Sequence, residues 1–340
     1  MYTPTCEPAN STFRFTNGIA ALGDLLYLSG KLNNTDEEDD YGHSLVITYA
    51  ERLVNDQWRF LKFDSWVNVA MVRFIGPKSF LGYMSEEGNV VLRRVGEGAG
   101  DEKYMERIPG AGLNWEDSVG YGYMTQLRQI GKHLYACGTS GQVYKRTGLH
   151  KWAHMDKGIL GKPGDEVFWI PNDINGPHES AIYLAGSIST TGLPPFLFFW
   201  NGKAWRKVAV PEVAGYFTRI FAESESRIWL CGHNGTLLLG NADDGFKSLS
   251  TVEDNQLFTS ITMFNGMVYL GSNLGPFVYD PNQPDDGIRP LKTPLNPPLK
   301  DVHSVDAKDG ILWMIGSKDL ARFDGTDWQR IEIPVNPKIV

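Results

Sequence analysis

The sequence predicts an all-β protein built from seven similar segments, and three observations lead to that prediction. A short phrase recurs seven times in the 340 residues: an aliphatic residue, an aromatic residue, one or two apolar or small residues, and a glycine. The glycines of successive phrases lie 39 to 56 residues apart. The composition agrees, because 12% aromatic residues and 37 glycines favour strands and tight turns over helices.

Each copy of the phrase is a short apolar run of the kind that forms a buried strand. In chain order the copies are Leu26–Gly30, Phe80–Gly82, Leu134–Gly138, Ile182–Gly186, Ile228–Gly232, Val268–Gly271 and Leu312–Gly316. An alternating segment precedes most copies, most clearly at Phe258–Phe264. A glycine turn and a third strand follow, as at Gly138–Gly141 and Gln142–Tyr144, and Asn201–Trp205 marks a turn into a fourth strand.

Four strands per copy and seven copies predict a seven-bladed β-propeller with four antiparallel strands per blade. One such blade exposes two apolar faces, and packing blades side by side buries them. We therefore expect the recurring aromatic residues to lie between blades, with an aromatic ligand cage as the rival interpretation. The chain is predicted to be a single domain, residues 1–340, with blades at 14–62, 66–108, 121–155, 165–209, 216–250, 257–292 and 301–334.

Two repeats resemble a known blade type. The fifth repeat, Arg227–Phe246, resembles the blade motif of the photosystem II assembly-factor family of propellers, and Leu134–Tyr144 is similar. That family is seven-bladed and resembles the Asp-box propellers, whose carboxylate turn is degenerate here around Asp243–Gly245. The resemblance implies a blade type and no function, because the chain lacks the export signal expected of that family. A strict Asp-box is missing, which disfavours a sialidase. WD dipeptides and kelch double glycines are missing too.

The charge of the chain limits its partners. Lys and Arg number 32 against 40 Asp and Glu, a net charge of −8. Nucleic acids and anionic lipids require a cationic surface, and the basic residues are scattered, so we expect neither partner. A basic protein is the partner most compatible with this charge, and solubility alone is the competing explanation.

The cysteines and the N-terminus predict a compartment. Cys6, Cys137 and Cys231 cannot all pair within one chain, and the last two occupy equivalent positions in repeats that are not neighbours. We expect buried thiols in a reducing compartment. The first residues lack a signal-peptide pattern, and no apolar run reaches the roughly 18 residues that a membrane span needs. The sequence therefore predicts a cytoplasmic protein of bacterial origin.

Chemistry-bearing motifs are sparse. His150 and His154 are four residues apart, but their segment resembles an outer strand, and a third zinc donor is not evident. The acidic run Asp36–Asp40 is contiguous, whereas a calcium loop alternates its ligands, although a weak divalent-cation site there stays open. We find no nucleophile elbow, metalloprotease or phosphate-binding pattern. The sequence therefore predicts no catalytic residues, no cofactor and no resident metal.

A protein-binding surface is predicted on one face. In a propeller, the loops between second and third strands open on the same face as the blade-to-blade connections. Asp36–Asp40 and the insertion Ser187–Pro195 occupy such loops. The candidate contact residues on this face are Asp36, Glu37, Glu38, Asp39, Asp40, Trp66, Trp115, Glu116, Asp117, Tyr121, Tyr123, Tyr216, Phe217 and Phe258. Aromatic side chains ringed by acids on a rigid scaffold are typical of protein interfaces. The alternative is that several of them begin inner strands and plug the channel mouth.

Two functions follow from this sequence. The first is a non-enzymatic cytoplasmic protein that binds one specific protein, for example an immunity protein or inhibitor that neutralises a basic toxin such as a secreted nuclease. The alternative is a propeller enzyme or lectin that uses the channel mouth for a metal-assisted hydrolase or lyase reaction, or for sugar binding. Stoichiometric calcium or zinc in protein purified without chelator would favour the alternative.

Overall fold

The computed structural model describes residues 13–32, 43–53, 57–64, 66–95, 102–190, 192, 194–250 and 256–335. Within these ranges the chain forms seven sheets, each of four consecutive antiparallel strands. Helix is confined, in the same ranges, to single 3₁₀ turns at Thr139–Gly141 and Pro284–Asp286. The predicted all-β class and the seven-bladed β-propeller are thus confirmed.

The chain divides into two compact units, which we call unit 1 (residues 1–66 and 258–340) and unit 2 (residues 67–257). The prediction that the chain is a single domain stays a prediction. Unit 2 contains blades 2 to 5, with strands β5 (Asn68–Phe74), β6 (Phe80–Ser85), β7 (Asn89–Arg94), β8 (Lys103–Arg107), β9 (Met124–Ile130), β10 (His133–Gly138), β11 (Gln142–Gly148), β12 (Lys151–His154), β13 (Trp169–His178), β14 (Ala181–Ile188), β15 (Phe196–Trp200), β16 (Trp205–Lys207), β17 (Phe217–Ala222), β18 (Ile228–Gly232), β19 (Leu237–Asn241) and β20 (Gly245–Ser248).

Unit 1 contains blades 1, 6 and 7. Its strands are β1 (Phe13–Leu22), β2 (Leu25–Leu32), β3 (His43–Ala50), β4 (Trp58–Asp64), β21 (Phe258–Phe264), β22 (Met267–Ser272), β23 (Phe277–Tyr279), β24 (Arg289–Pro290), β25 (Ser304–Lys308), β26 (Ile311–Ile315), β27 (Leu320–Phe323) and β28 (Trp328–Arg330). The first blade packs against the last, and the ring centroids of Tyr49 and Trp313 are 5.9 Å apart across this junction. Across the same junction the backbone N–H of Ala20 donates to Asp306 at 2.8 Å.

The recurring glycine is required by a close approach of two backbones. Near the start of the inner strand of most blades, the register against the second strand shifts by one residue, as between Phe217 and Arg219. A Cβ atom added to Gly138 would lie 2.7 Å from the carbonyl oxygen of Tyr123, and one added to Gly232 would collide with that of Tyr216. Gly138 itself is extended, with φ of −161°. The positive φ of this turn is supplied by Gly141, three residues later, with φ of 78°.

The second copy of the repeat is aligned differently from the prediction. In blade 3 the register shift lies between Cys137 and Gly138, so the wedge residue Tyr135 comes three residues before Gly138. In blade 2 the equivalent shift falls at Ser85, which places Gly82 where the aromatic residue stands elsewhere. The alignment of Phe80–Gly82 with the other copies is wrong by three residues, because Val72 and Leu92 occupy the space that a side chain at Gly82 would need.

Within each unit, recurring aromatic residues fill the space between blades. Tyr135 packs with residues of blades 3 and 4, and its hydroxyl donates to Glu179 at 3.2 Å. Tyr183 packs with residues of blades 4 and 5, and its hydroxyl accepts the N–H of Ala242 at 2.9 Å. In unit 1, Trp313 packs with blade 1 in the same way. These contacts confirm that the repeat places aromatic wedges in the core.

Side chains at the register shift also link neighbouring inner strands. In unit 2, Thr125 donates to the carbonyl of Pro171 at 2.6 Å, and Asn172 donates to that of Phe217 at 2.7 Å. In unit 1, Thr259 donates to the carbonyl of His303 at 2.7 Å. Carbonyls at an inner-strand edge lack a neighbouring strand to donate to them, so these bonds satisfy groups whose burial would otherwise be costly.

Candidate protein-binding surface

The connections between blades and the turns between second and third strands lie together in unit 2. The backbone N–H of Thr139 donates to the carbonyl of Tyr123 at 2.9 Å, and that of His233 donates to Tyr216 at 2.9 Å. Ser140 donates through its hydroxyl to the carbonyl of Tyr121 at 2.8 Å. We call the surface formed by connections 108–123, 155–168 and 208–216, with these turns, the connection face of unit 2.

The connection 108–123 is held by two charged side chains from blade 2. The carboxylate of Glu87 accepts the backbone N–H groups of Leu113 and Asn114 at 2.9 and 3.0 Å, and the amide of Asn114 at 2.6 Å. Arg107 donates to Asp117 at 2.8 Å and to the carbonyl of Ala111 at 2.6 Å. This connection is therefore ordered by side chains that reach it from the rigid blade.

Apolar side chains project from this anchored connection. Leu113, Trp115 and Val119 are 47, 50 and 51% exposed, and Tyr123 is 37% exposed. The guanidinium of Arg107 lies 4.8 Å from the ring centroid of Trp115, which orients the indole by a cation–π contact. Large apolar groups that are both exposed and held in place are characteristic of binding sites, because little entropy remains to be lost on contact.

The two predicted acids in this connection have different environments. Glu116 is exposed, whereas Asp117 is engaged by Arg107 and by the N–H of Gly110 at 3.1 Å. Partial burial opposes ionisation of Asp117, but the hydrogen bonds from Arg107 and Gly110 outweigh it and lower the pKa of Asp117. Asp117 therefore shapes the connection, and Glu116 is the acid available to a partner.

The predicted aromatics differ in accessibility. Trp115 and Tyr123 are exposed, and Tyr121 is half-buried. Tyr216 is also half-buried and stacks on the imidazole of His233 with ring centroids 5.4 Å apart. The structure thus brings Trp115, Glu116, Asp117, Tyr121 and Tyr123 together in one connection, with Tyr216 in another connection of the same face.

Three predicted contact residues belong to the core instead. Phe217 and Phe258 begin inner strands and are fully buried, and Trp66 is 8% exposed. The period of two along a strand turns the first inner-strand side chain into the space between sheets. This corrects the prediction of direct contact for these residues and agrees with the alternative that some of them start inner strands. The run Asp36–Asp40 lies outside the described residues, as do positions 191 and 193 of the Ser187–Pro195 insertion.

Several functional candidates escaped the sequence reasoning. Leu113 and Val119 look like ordinary apolar residues in sequence, and Glu87 lies in a tight turn of the preceding blade. The signal that could have found the first two is the unusual density of apolar residues in a connection rich in glycine. The link from Glu87 to the connection could not be read from sequence, because it depends on the fold.

The connections of unit 2 are acidic. Together 108–123, 155–168 and 208–216 contain six carboxylates and two lysines, and no arginine. The carboxylates are Glu116, Asp117, Asp156, Asp165, Glu166 and Glu212. A surface of this sign attracts cationic groups and steers their approach.

The described residues also bear on metal sites, membrane spans and thiols. In that part of the chain, no group of three or more His, Cys, Asp or Glu side chains is arranged to hold a metal ion. Searched over the same residues, no helix is long and apolar enough to cross a membrane. Cys137 and Cys231 are buried free thiols, as predicted, and Cys6 lies outside the described residues.

Comparison with known proteins places this chain near one curated relative. It is 27% identical over 325 residues to the immune protein Tsi7 of Pseudomonas aeruginosa, and the match covers 94% of this chain and 97% of Tsi7. No protein-family model matches the chain.

Solved structures share the fold at low sequence identity. The structure of YCF48, a photosystem II assembly factor, bound to D1 peptide aligns with a TM-score of 0.61, 11% identity and 93% coverage of both chains. The WD40 propeller domain of Doa1 aligns with a TM-score of 0.58, 11% identity and 91% coverage of both chains. Sqt1 from Chaetomium thermophilum aligns with a TM-score of 0.61 and 10% identity, over 92% of this chain and 82% of Sqt1. These likenesses show the propeller fold, in agreement with the predicted resemblance in blade type.

Proposed function

We propose that this chain is an immunity protein, a non-enzymatic propeller that neutralises a toxin by binding it. The observation that carries the proposal is the similarity to the immune protein Tsi7, which extends over 94% of this chain and nearly all of the relative. A match over 94% of the chain extends far beyond a single repeat motif. The protein acts in this proposal in the cytoplasm of a bacterium, where its buried thiols stay reduced.

The connection face of unit 2 is the binding surface in this proposal. Trp115 supplies a central aromatic anchor, with Leu113, Val119 and Tyr123 around it, and anchoring by Glu87 and Arg107 reduces the entropy lost on binding. The acidic connections favour a toxin whose contact surface is basic. Such a complex blocks the toxin by covering its cationic substrate-binding surface, so it requires no chemistry from this chain.

The decisive experiment is protection of a cell. Toxin genes that neighbour the gene for this chain are expressed one at a time in a heterologous bacterium, with and without the chain. We expect growth to be restored against one toxin, and the purified pair to form a complex of fixed stoichiometry. Failure to protect against any of them, with no complex formed by the purified proteins, would overturn the proposal.

The connection face is tested separately. Trp115→Ala should abolish protection at toxin levels that the wild-type chain withstands, while expression and thermal stability are retained. Protection that is unaffected by this change, and by Tyr123→Ala, would reject the connection face of unit 2 as the binding surface while leaving the immunity function standing.

A further inference from the structure

A group of charged side chains lies on the inner strands β9, β13 and β17 of unit 2. Asp173 is fully buried, and Arg128 donates to its two carboxylate oxygens at 3.0 and 3.1 Å. The same two oxygens accept the backbone N–H groups of Ile174 at 3.0 Å and Ile220 at 2.9 Å. Four donors saturate this carboxylate, because each oxygen offers two lone pairs.

Arg219 lies in the electrostatic field of Asp173 without sharing its oxygens. Its Nη1 donates to the carbonyl of Thr218 at 2.8 Å and to that of Asn172 at 3.4 Å. Among the described residues, no carboxylate oxygen lies within 4.0 Å of the guanidinium nitrogens of Arg219. Within the described residues the guanidinium donates only through Nη1, so its Nε–H and Nη2–H groups have no acceptor there.

The surroundings do not neutralise this guanidinium. Burial raises the pKa of the thiols of Cys137 and Cys231 to about 12, so both stay uncharged at neutral pH. Burial lowers the pKa of Arg219, Asp173 raises it, and Arg128 lowers it further. Since a guanidinium keeps its proton at neutral pH, Arg219 holds a positive charge in a partly desolvated position.

We infer that the guanidinium of Arg219 forms a carboxylate-binding site on the inner strands of unit 2. The Nε–H and Nη2–H edge of a guanidinium matches the two oxygens of a carboxylate in a bidentate pair. One guanidinium without an ionic partner suits a ligand group of one negative charge.

Arg219 lies close in the chain to the connection face. It is the third residue of β17, directly after the connection 208–216. The carboxylate comes either from a free small acid or from an Asp or Glu side chain of a protein. The site stands whether or not the chain is an immunity protein, and an acidic side chain of a toxin is one of the protein sources.

Two probes distinguish the sources in the full-length protein. Sodium acetate is titrated against sodium chloride at equal ionic strength, and the blocked tripeptide Gly-Asp-Gly is titrated against Gly-Asn-Gly. The readouts are calorimetry and the NMR shift of the Arg219 Nε–H. We expect binding of a carboxylate probe to weaken by about tenfold or more in Arg219→Met and less in Arg219→Lys, because hydrogen bonds to charged groups contribute about 1.5–3 kcal/mol.

A matched control removes a different arginine. Arg206 is more exposed and pairs with Asp243 at 2.7 Å, so Arg206→Met should leave probe binding unchanged. Binding of acetate alone would assign a free acid as the ligand, and binding of the Asp peptide alone would assign a protein side chain. Absence of binding by both probes, or binding that survives Arg219→Met, overturns the site. If Arg219→Met does not fold, the wild-type protein still tests the site: an Arg219 Nε–H signal that does not shift when either probe is added overturns it. If the wild-type chain binds a carboxylate probe but protects cells against no toxin, the proposed function is refuted and this site remains.

Discussion

At the scale of single residues, exposure and fixed position combine at Trp115. The indole is half exposed and is held over Arg107, which itself is bound to Asp117. An exposed aromatic usually adds little to stability, so its retention in a fixed orientation points to a partner. Residues such as Phe217 show the opposite combination, because full burial removes them from any contact surface.

Trp115→Ala is expected to speed dissociation of the toxin complex by an amount equal to about 2 kcal/mol or more, as for a central anchor. The free energy of unfolding should change by less than about 1 kcal/mol, since only the cation–π contact and partial burial are lost. Kinetic binding measurements and urea titration test both values. Leu149→Ala is the matched control, because Leu149 is 49% exposed but lies in the turn between β11 and β12, on the opposite face.

Glu179 makes a pH-dependent contribution to stability. Its carboxylate accepts from Lys145 and His133 at 2.7 and 2.6 Å, and it joins blades 3 and 4. Burial opposes its ionisation, but these hydrogen bonds outweigh burial and lower the pKa of Glu179 from 4.5 to about 2. A lowered folded-state pKa stabilises the protein above pH 4.5, and this stabilisation is lost as the pH falls from 4.5 to about 2.

We therefore expect Glu179→Gln to lower the free energy of unfolding by about 1 kcal/mol at neutral pH. This value is smaller than the full pKa shift of Glu179 would give, because the side chain is partly exposed. The difference between variant and wild type should shrink towards zero near pH 2. Urea titrations at neutral and acidic pH measure it. A difference that stays constant across that range would show that Glu179 acts through packing and not through its charge.

At the scale of elements, the connection 108–123 is held by specific hydrogen bonds although it contains no regular strand. Its N–H groups at Leu113 and Asn114 are bound by Glu87, and those at Gly110 and Val119 by Asp117 and the carbonyl of Gly110. A mobile loop would lose conformational entropy when it binds a partner. This connection already holds its apolar side chains in place, so that loss on binding is smaller.

Glu87→Ala is expected to release this connection while leaving the exposed side chains intact. Amide hydrogen exchange at Leu113 and Asn114 should accelerate, and affinity for the toxin should fall by about tenfold as ordering entropy is paid on binding. Glu212→Ala removes the same charge from another connection of the same face, so it is the control for electrostatic effects. Equal losses in the two variants would attribute the effect to charge alone.

At the scale of the whole molecule, the net charge of −8 is concentrated in identifiable places. One is the set of connections of unit 2, and another is the sequence run Asp36–Asp40. Charges at the rim of an interface act mainly on the rate of encounter, because they attract the partner over a distance and stay hydrated after contact.

Replacing Asp36, Glu37, Glu38, Asp39 and Asp40 by their amides should lower the association rate and flatten its dependence on salt. The dissociation rate should change little if these acids lie at the rim. Stopped-flow association at several ionic strengths measures the effect, and the circular dichroism spectrum checks folding. An association rate that is unchanged at low salt would mean that this run does not face the partner.

Local pattern was sufficient for the class and number of blades. The glycine spacing and the aromatic phrase predict seven four-stranded sheets because each repeat carries its own strand and turn signals, which act over a few residues. The alignment of the second copy failed because a glycine that packs tightly between side chains, Gly82, looks in sequence like the glycine at the strand end. The sequence also located the connection that contains Trp115, because aromatic residues outside the predicted strands are visible in sequence.

Composition and short-range periodicity are enough to predict the propeller, its acidic charge and the segment that carries Trp115. Three other properties depend on the folded chain: which aromatics reach solvent, that Glu87 and Arg107 hold the connection, and that Asp173 is saturated while Arg219 is left without a carboxylate. The Glu87–Leu113 and Asp173–Ile220 contacts join residues 26 and 47 positions apart, which meet only in the folded chain. Arg107 reaches Ala111 and Asp117, which are 4 and 10 positions away. Burial and hydrogen-bond saturation are set by the packing of the folded chain, so no local pattern encodes them.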